Sequence, residues 1–262
     1  MLCNSEKLDR RLAEARKLWL LLDYDGTLAD FAPTPDDVNS DPELIDLLSR
    51  LAQDPRFRIA VISGRRLSHV RSLLPMPGIW LAGTYGVELQ TPAEERVIRV
   101  SYGAVRPALE ALKPSWEHLI TGREGFFLED KFWALALHAP FAAEDEAETV
   151  LETAHRMAAD AASSGPFRLL GGHRFLEIGP KLAHKGRTVE YMLRHYSWPG
   201  ALPLYLGDDD KDEEAFGVVK SNGGVAILVA REARDTQADC RLESPQSVRS
   251  WLATLPVRVK SP

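Results

Sequence analysis

The sequence predicts an α/β fold: a doubly wound parallel-sheet core with a second, smaller α/β domain inserted into it. Short, nearly all-apolar runs recur with helical patterns between them, at Leu18 to Leu22, Phe57 to Ile62, Ile79 to Ala82, Leu202 to Leu206 and Val225 to Val229. That is the texture of strands buried on both faces and covered by helices. After about residue 87 the texture changes, and runs of the first kind resume only near residue 202. A length of 262 residues suits one or two domains with a sizeable core.

Taken in order, the first strand, LWLLL, runs straight into DYDGT, Asp23 to Thr27. Asp41 then stands as a helix cap with Pro42 at the first helical position, and Leu44, Leu47, Leu48 and Leu51 share one face. The strand FRIAVI leads into ISGRR, Ile62 to Arg66, whose Ser63 and following backbone amides suit an anion. The middle segment offers strand-like VELQ and RVIRV, then FFLEDKFWALALH, a helical pattern from Glu144 to about Ala162, and two extended runs joined at Gly171-Gly172 as a tight hairpin. The expected organisation is a core of 1–86 plus 182–262 and an inserted domain of 87–181. Lys185 then opens a helical stretch, and the strand LPLYL ends in the acidic cluster LGDDDKDEEAF from Leu206.

The bulk numbers exclude several classes. A formal net charge of -6 argues against nucleic acid, because duplex-binding domains concentrate Lys and Arg. No apolar run is long enough to span a bilayer, and the charged N-terminus lacks the core of a secretory signal. Only Cys3 and Cys240 are present, too few for a disulfide framework or a cysteine cluster, which fits a reducing compartment. The seven histidines show no zinc-type spacing, and Trp19, Trp80 and Trp133 read as core. The expectation is a cytoplasmic monomer that handles a small molecule, with no membrane and no nucleic acid.

Four polar segments thus follow predicted strands or open a helix, where open α/β sheets bind ligands. An ionised Asp can act as a nucleophile toward phosphorus. Two unit negative charges ~4 Å apart repel by roughly 4 kcal/mol at an effective dielectric of ~20. Such a site therefore needs a divalent cation and further positive groups. Mg²⁺ takes oxygen ligands and keeps several waters, so Asp23, Asp208 and a backbone carbonyl suffice, with Asp25 and Asp209 as further candidates and Asp212 at the hydration shell. Lys185, preferred over Lys181 because it directly precedes a Gly and a helix, binds phosphate with Ser63, Gly64 and Arg65, while Arg66 competes with Arg65 for that role. Asp25 then protonates the leaving oxygen and deprotonates the attacking water. Glu213 and Glu214 read as a solvated helix start.

DYDGTLAD, VISGR, the Lys185 segment and GDDDKDEEAF, in that order, resemble the four motifs of the haloacid dehalogenase superfamily of phosphatases. The resemblance implies a Rossmann-like core. Within the superfamily, Leu81 to Gly86, Glu129 to His138, Phe175 to Pro180 and Gly207 to Phe216 are similar to the trehalose-6-phosphate phosphatase family. It implies Asp23 as nucleophile, Asp25 as acid and base, Ser63 and Lys185 on the phosphate, Asp208 on Mg²⁺, and Glu129, Lys131 and Glu177 gripping the sugar. Tyr85, Lys211 and Gly179 depart from that family's usual His, Thr and Arg. The rival readings are a phosphatase for another glycosyl phosphate, such as glucosyl- or mannosyl-3-phosphoglycerate, a phosphomutase, and a non-catalytic sugar-phosphate sensor.

Overall fold

The computed structural model describes residues 6–31, 38–172 and 174–260. The chain divides into two units, 1–97 with 184–262, and 98–183. Elements of the first, in chain order, are α1 (Glu6–Glu14), β1 (Leu18–Leu22), α2 (Pro42–Gln53), β2 (Phe57–Ile62), α3 (Leu67–Leu73), β3 (Trp80–Gly83), β4 (Glu88–Gln90) and β5 (Arg96–Ile98), which ends at the boundary. Those of the second are α4 (Tyr102–Ile120), β6 (Phe127–Asp130), β7 (Leu135–His138), α5 (Glu144–Ser164), β8 (Phe167–Gly172) and β9 (Phe175–Pro180). The first unit resumes with α6 (Lys185–His195), β10 (Leu202–Gly207), α7 (Asp210–Ser221), β11 (Val225–Val229), β12 (Cys240–Leu242) and α8 (Pro245–Arg258).

Alternate residues of a strand point to opposite faces, and β1 shows the consequence. Leu18, Leu20 and Leu22 enter a core shared with α1, α2, α3 and α8. Trp19 and Leu21 enter a second core with Trp80 and residues of α6 and α7. Helices on both faces are why β1 carries five buried apolar residues in a row, each worth about 1.5–3 kcal/mol relative to exposure. Helix α2 forms where capping and spacing expect it. Asp41 accepts from the amides of Glu43 and Leu44, Pro42 opens the first turn, and Leu44, Leu47, Leu48 and Leu51 are buried.

Among the described residues the large sheet runs β12-β11-β10-β1-β2-β3-β4-β5. Pairing is parallel from β12 through β3, and β4 returns antiparallel to β3 with Ala82 opposite Leu89. This differs from the expected assignment of VELQ and RVIRV to the insertion. Both extend the core sheet, because a hairpin partner needs only a short turn and β3 offers a free edge.

The second unit is an antiparallel sheet, β6-β7-β9-β8, with α4 and α5. Its hairpin differs from expectation too. Gly171 and Gly172 lie inside β8, paired with Leu176 and Phe175 of β9, rather than forming the turn. Cys240 is disulfide-bonded rather than a free thiol, so the small cysteine count carries no argument for a reducing compartment. Among the described residues, no helix is long and apolar enough to cross a membrane.

Candidate active site

Strand β1 lies between β10 and β2, where the winding of the sheet reverses. A ligand-binding crevice opens beyond the C-terminal ends of the strands at such a point. Asp23 follows β1 there, and its amide donates to the Leu206 carbonyl at 2.9 Å. The chain then turns through Gly26 at φ 76°, where a Cβ would come within 2.3 Å of Asp208 Oδ2. Glycine lets this loop meet the end of β10. Thr27 Oγ1 donates to Asp208 Oδ1 at 3.2 Å and to Asp23 Oδ2 at 3.4 Å, joining the two acidic loops.

Helix α6 delivers Lys185, 3% exposed. Its Nζ lies 2.9 Å from Asp23 Oδ1 and donates to Asp212 Oδ1 at 2.6 Å. Asp212, fully buried, also accepts from Tyr205 OH at 2.7 Å and, on Oδ2, from the amides of Asp208 and Asp209 at 3.1 Å each. Each carboxylate oxygen has two lone pairs, so Asp212 is saturated with four donors. Its role here is to anchor Lys185 and the β10–α7 turn. Gly207 makes room for it, since a Cβ there would sit 2.2 Å from Asp212 Cγ. Asp209 caps α7, accepting from the Lys211 amide at 2.8 Å and from Lys211 Nζ at 3.0 Å.

The loop after β2 places Ser63, fully buried, with its Oγ accepting from the Arg65 amide at 3.1 Å. Gly64 lies under the Tyr85 ring, which a Cβ would meet at 2.7 Å, and Tyr85 itself adopts φ 53°. Arg65 grips both oxygens of Asp25, Nε to Oδ2 at 2.8 Å and Nη2 to Oδ1 at 2.7 Å. Arg66 is exposed, and so is Lys181, which donates to the Gly165 carbonyl. Glu213 and Glu214 are engaged rather than solvated, by Thr236 Oγ1 and by His184.

The charges are crowded. Burial pushes Asp23 well above the carboxylate range, with Lys185 opposing and Asp212, Asp208 and Asp209 adding to the rise. Burial foremost, then Asp212, pushes Asp208 up to about 6. Asp209 goes the other way, because Lys185 and Lys211 outweigh its burial. Burial alone would lower Lys185, but Asp212 and Asp23 hold it well above its ordinary value.

Carboxylate oxygens of Asp23, Asp208 and Asp212 lie within 4.8 Å of one another. With Asp212 saturated, Asp23 and Asp208 have the capacity left for a cation. An all-oxygen donor set suits a hard divalent ion. Asp25 and Asp209, also expected as ligands, pair with Arg65 and Lys211.

The second unit brings together its own charged group. Lys131 Nζ donates to Glu177 Oε2 at 2.7 Å and lies 3.7 Å from Glu129 Oε2. His138 Nε2 is 3.1 Å from the same Glu129 oxygen. Glu177 is fully buried, and its Oε1 has no hydrogen-bond partner among the described residues. An orphaned buried acceptor costs about 1–3 kcal/mol, which a hydroxyl donor would recover.

Sequence reasoning missed Asp212 as an anchor, together with Tyr205 and Thr27. One signal was present: Asp209-x-x-Asp212 has capping-box spacing, and both halves of the box form.

The parallel sheet, its switch-point carboxylates and the buried lysine define an α/β protein with its candidate site at the C-terminal ends of the central strands. The trehalose-phosphatase family model matches residues 21–246, and the chain belongs to that family. A trehalose-phosphate phosphatase of Mycobacterium bovis is 34% identical over 247 residues, covering 90% of this chain and 61% of that protein. A Zea mays trehalose 6-phosphate phosphatase is 28% identical over 260 residues, covering 93% of this chain and 71% of that one. The chain thus spans roughly three fifths to seven tenths of these relatives' lengths. In fold it resembles the C-terminal domain of C. albicans trehalose-6-phosphate phosphatase, with a TM-score of 0.85 over 97% of each chain at 22% identity.

Proposed function

We propose that the chain is a phosphoric monoester hydrolase that converts trehalose 6-phosphate to trehalose and phosphate through a phosphorylated Asp23. The observation that carries this is the buried Lys185 ammonium, 2.9 Å from Asp23 Oδ1 at the switch point of the sheet, in a chain of the trehalose-phosphatase family. Asp23 attacks phosphorus and the bond from phosphorus to the sugar oxygen breaks, with Asp25 giving the alkoxide its proton. Water then attacks phosphorus, Asp25 takes a proton from it, and Asp23 leaves as a carboxylate. Arg65 holds Asp25 by both oxygens, and Oδ2, which accepts from Nε, keeps a second lone pair for the proton transfers.

Lys185 and Ser63 hold phosphate oxygens in this scheme, joined by the Gly64 amide, while the Arg65 amide fixes Ser63 Oγ. Mg²⁺ would be held by Asp23 and Asp208 and would neutralise charge on the phosphoryl group. The inserted unit, read as a specificity domain, takes the sugar through Glu129, Lys131 and Glu177, with the orphaned Glu177 Oε1 as supporting observation. A small-molecule substrate and a cytoplasmic, monomeric protein remain the expectation, and the net charge of -6 favours no nucleic-acid partner.

The test is phosphate release with Mg²⁺ from trehalose 6-phosphate, glucose 6-phosphate and a panel of phosphorylated glycosides, with Asp23→Asn alongside. Preference for trehalose 6-phosphate, lost in Asp23→Asn, establishes the reading. Turnover of glucosyl- or mannosyl-3-phosphoglycerate instead keeps the mechanism and moves the substrate. Tight binding without turnover replaces the enzyme with a sensor.

A further inference from the structure

The turn that leaves β3 for β4 is built against the preference of its own residues. Thr84 and Tyr85 stand at φ 47° and φ 53°, a left-handed conformation that β-branched and bulky side chains rarely adopt because the Cβ crowds the backbone. Both residues are buried. Such a backbone costs free energy and persists only where surrounding contacts fix it. A connection that merely joined two antiparallel strands would be relieved by glycine at either position.

The contacts that fix this turn come from the two elements carrying the phosphate groups of the proposed mechanism. The Tyr85 amide donates to the Ser63 carbonyl at 2.8 Å, and the Thr84 amide donates to the Arg65 carbonyl at 2.7 Å. Both bonds bind the turn to the loop after β2. On the other side, the Tyr85 carbonyl accepts from Thr188 Oγ1 at 2.7 Å. Thr188 is fully buried on α6, and at three residues from Lys185 it is that lysine's neighbour on the helix surface. Gly86 admits the hydroxyl, since a Cβ there would come within 2.1 Å of it.

The Tyr85 side chain acts on the same loop as its amide. Its Cζ and hydroxyl oxygen lie 2.7 Å from where a Gly64 Cβ would stand, so the ring presses on the backbone whose amide faces the phosphate. Tyr85 therefore meets the Ser63 loop with amide and ring, and α6 with its carbonyl. Ser63 and Gly64 stand at one end of this bridge and Lys185 at the other. Donors that stabilise a transferring group must be held to within about 0.5 Å of the productive geometry, and a bridge between their two supports does that.

We propose that Tyr85 is a positioning residue of the phosphate site, its left-handed turn clasping the Ser63 loop to α6 and so setting the separation between the Ser63 and Gly64 donors and the Lys185 ammonium. Thr188 is the other half of the clasp. This rests on the function proposed above for the same site.

The experiment compares wild type with Tyr85→Ala, Tyr85→Phe, Thr188→Val, Thr188→Ser and the double variant Tyr85→Ala with Thr188→Val. Substrates are trehalose 6-phosphate and p-nitrophenyl phosphate, which has no sugar, each with Mg²⁺. Inhibition by orthovanadate, a mimic of the five-coordinate phosphoryl group, reads the site, and thermal melting reads the fold. Tyr85→Ala and Thr188→Val are each expected to lose about tenfold or more in kcat with KM little changed, by the same factor on both substrates. Vanadate inhibition weakens in parallel. Tyr85→Phe keeps the ring and Thr188→Ser keeps the hydroxyl, so both stay within about twofold of wild type. The double variant loses little more than the worse single one, because both act through one clasp.

A lowered melting temperature with wild-type kinetics and vanadate inhibition would make the turn purely structural and overturn the proposal. Losses confined to trehalose 6-phosphate, or multiplied in the double variant, also overturn it. If Tyr85→Ala lacks a cooperative melt, Tyr85→Leu replaces it under the same criteria. A wild type that ignores trehalose 6-phosphate but hydrolyses p-nitrophenyl phosphate or another phosphate ester removes the proposed substrate alone, and the variants on that ester then decide Tyr85. A wild type that hydrolyses no phosphate ester overturns both.

Discussion

Lys185 Nζ donates to Asp212 Oδ1 at 2.6 Å, with both side chains buried. The pair holds the lysine 2.9 Å from Asp23. Asp212→Asn keeps the shape but removes the charge and leaves two of the four donors facing an NH₂. Truncating one partner of a buried charged pair typically costs about 3–5 kcal/mol. Chemical denaturation should show a loss of that order, and turnover should fall about 100-fold. Unchanged stability would mean that Lys185 finds its anchor elsewhere.

Gly207→Ala should act through the same residue. The new Cβ would meet Asp212 Cγ at 2.2 Å, and Asp212 has no space to yield because its four donors fix it. Overpacking costs typically about 1–3 kcal/mol. Thermal melting and kinetics should decline together; a variant with normal activity would show that the β10–α7 turn relaxes freely.

Asp23 and Asp208 repel each other until a cation joins them, so divalent metal should stabilise the folded chain. At 100 times its dissociation constant, a ligand specific to the native state adds about 2.7 kcal/mol. A melting series with Mg²⁺ and then EDTA should display a rise and its reversal, with activity following. In Asp208→Ala the rise should shrink or vanish, and a full rise in that variant would move the cation away from Asp208.

Arg65→Lys replaces a two-pronged grip on Asp25 with a point charge. Asp25 then loses its fixed orientation while the phosphate contacts of Ser63 and Lys185 persist. The expected result is a fall of about tenfold in kcat with KM little changed. A selective rise in KM would instead make Arg65 a phosphate contact.

The pair Arg106 and Asp130 predicts a pH dependence. The hydrogen-bonded Arg106 guanidinium lowers Asp130 to about 2 against the opposing effect of burial. A depressed carboxyl contributes stability that is present above its unfolded pKa and lost as pH falls toward the folded one. Asp130→Asn should therefore cost about 1–2 kcal/mol at pH 7, allowing for its partial exposure. That difference should narrow from about pH 4 toward 2. Denaturant midpoints across this range test it, and a pH-independent difference would exclude the ion pair as its cause.

Much of the fold is legible locally. The run LWLLL needs no partner to declare itself a strand buried on both faces, and Asp41, Pro42 and the four leucines of α2 announce that helix. Helix α4 is hidden because Pro107 and Pro114 lie inside it, each removing a helical hydrogen bond. The strands β4 and β5, three residues each, are too short to show which sheet they join. The site divides in the same way. The run Asp208 to Glu214 reads as one acidic cluster broken only by Lys211, yet Asp212 is fully buried while the Asp210 side chain is 92% exposed.

The order of polar segments, their residue types and their places at strand ends follow from the sequence by itself, because periodicity, capping and turn chemistry are local. The tertiary structure alone decided which charges meet. Asp23, Lys185 and Asp212 are separated by more than a hundred residues of chain between the first and second, and only the parallel packing of β1 beside β10 brings their loops together. Whether a carboxylate caps a helix, anchors a lysine or remains open to a cation depends on its donors and its burial, and both are set by that packing.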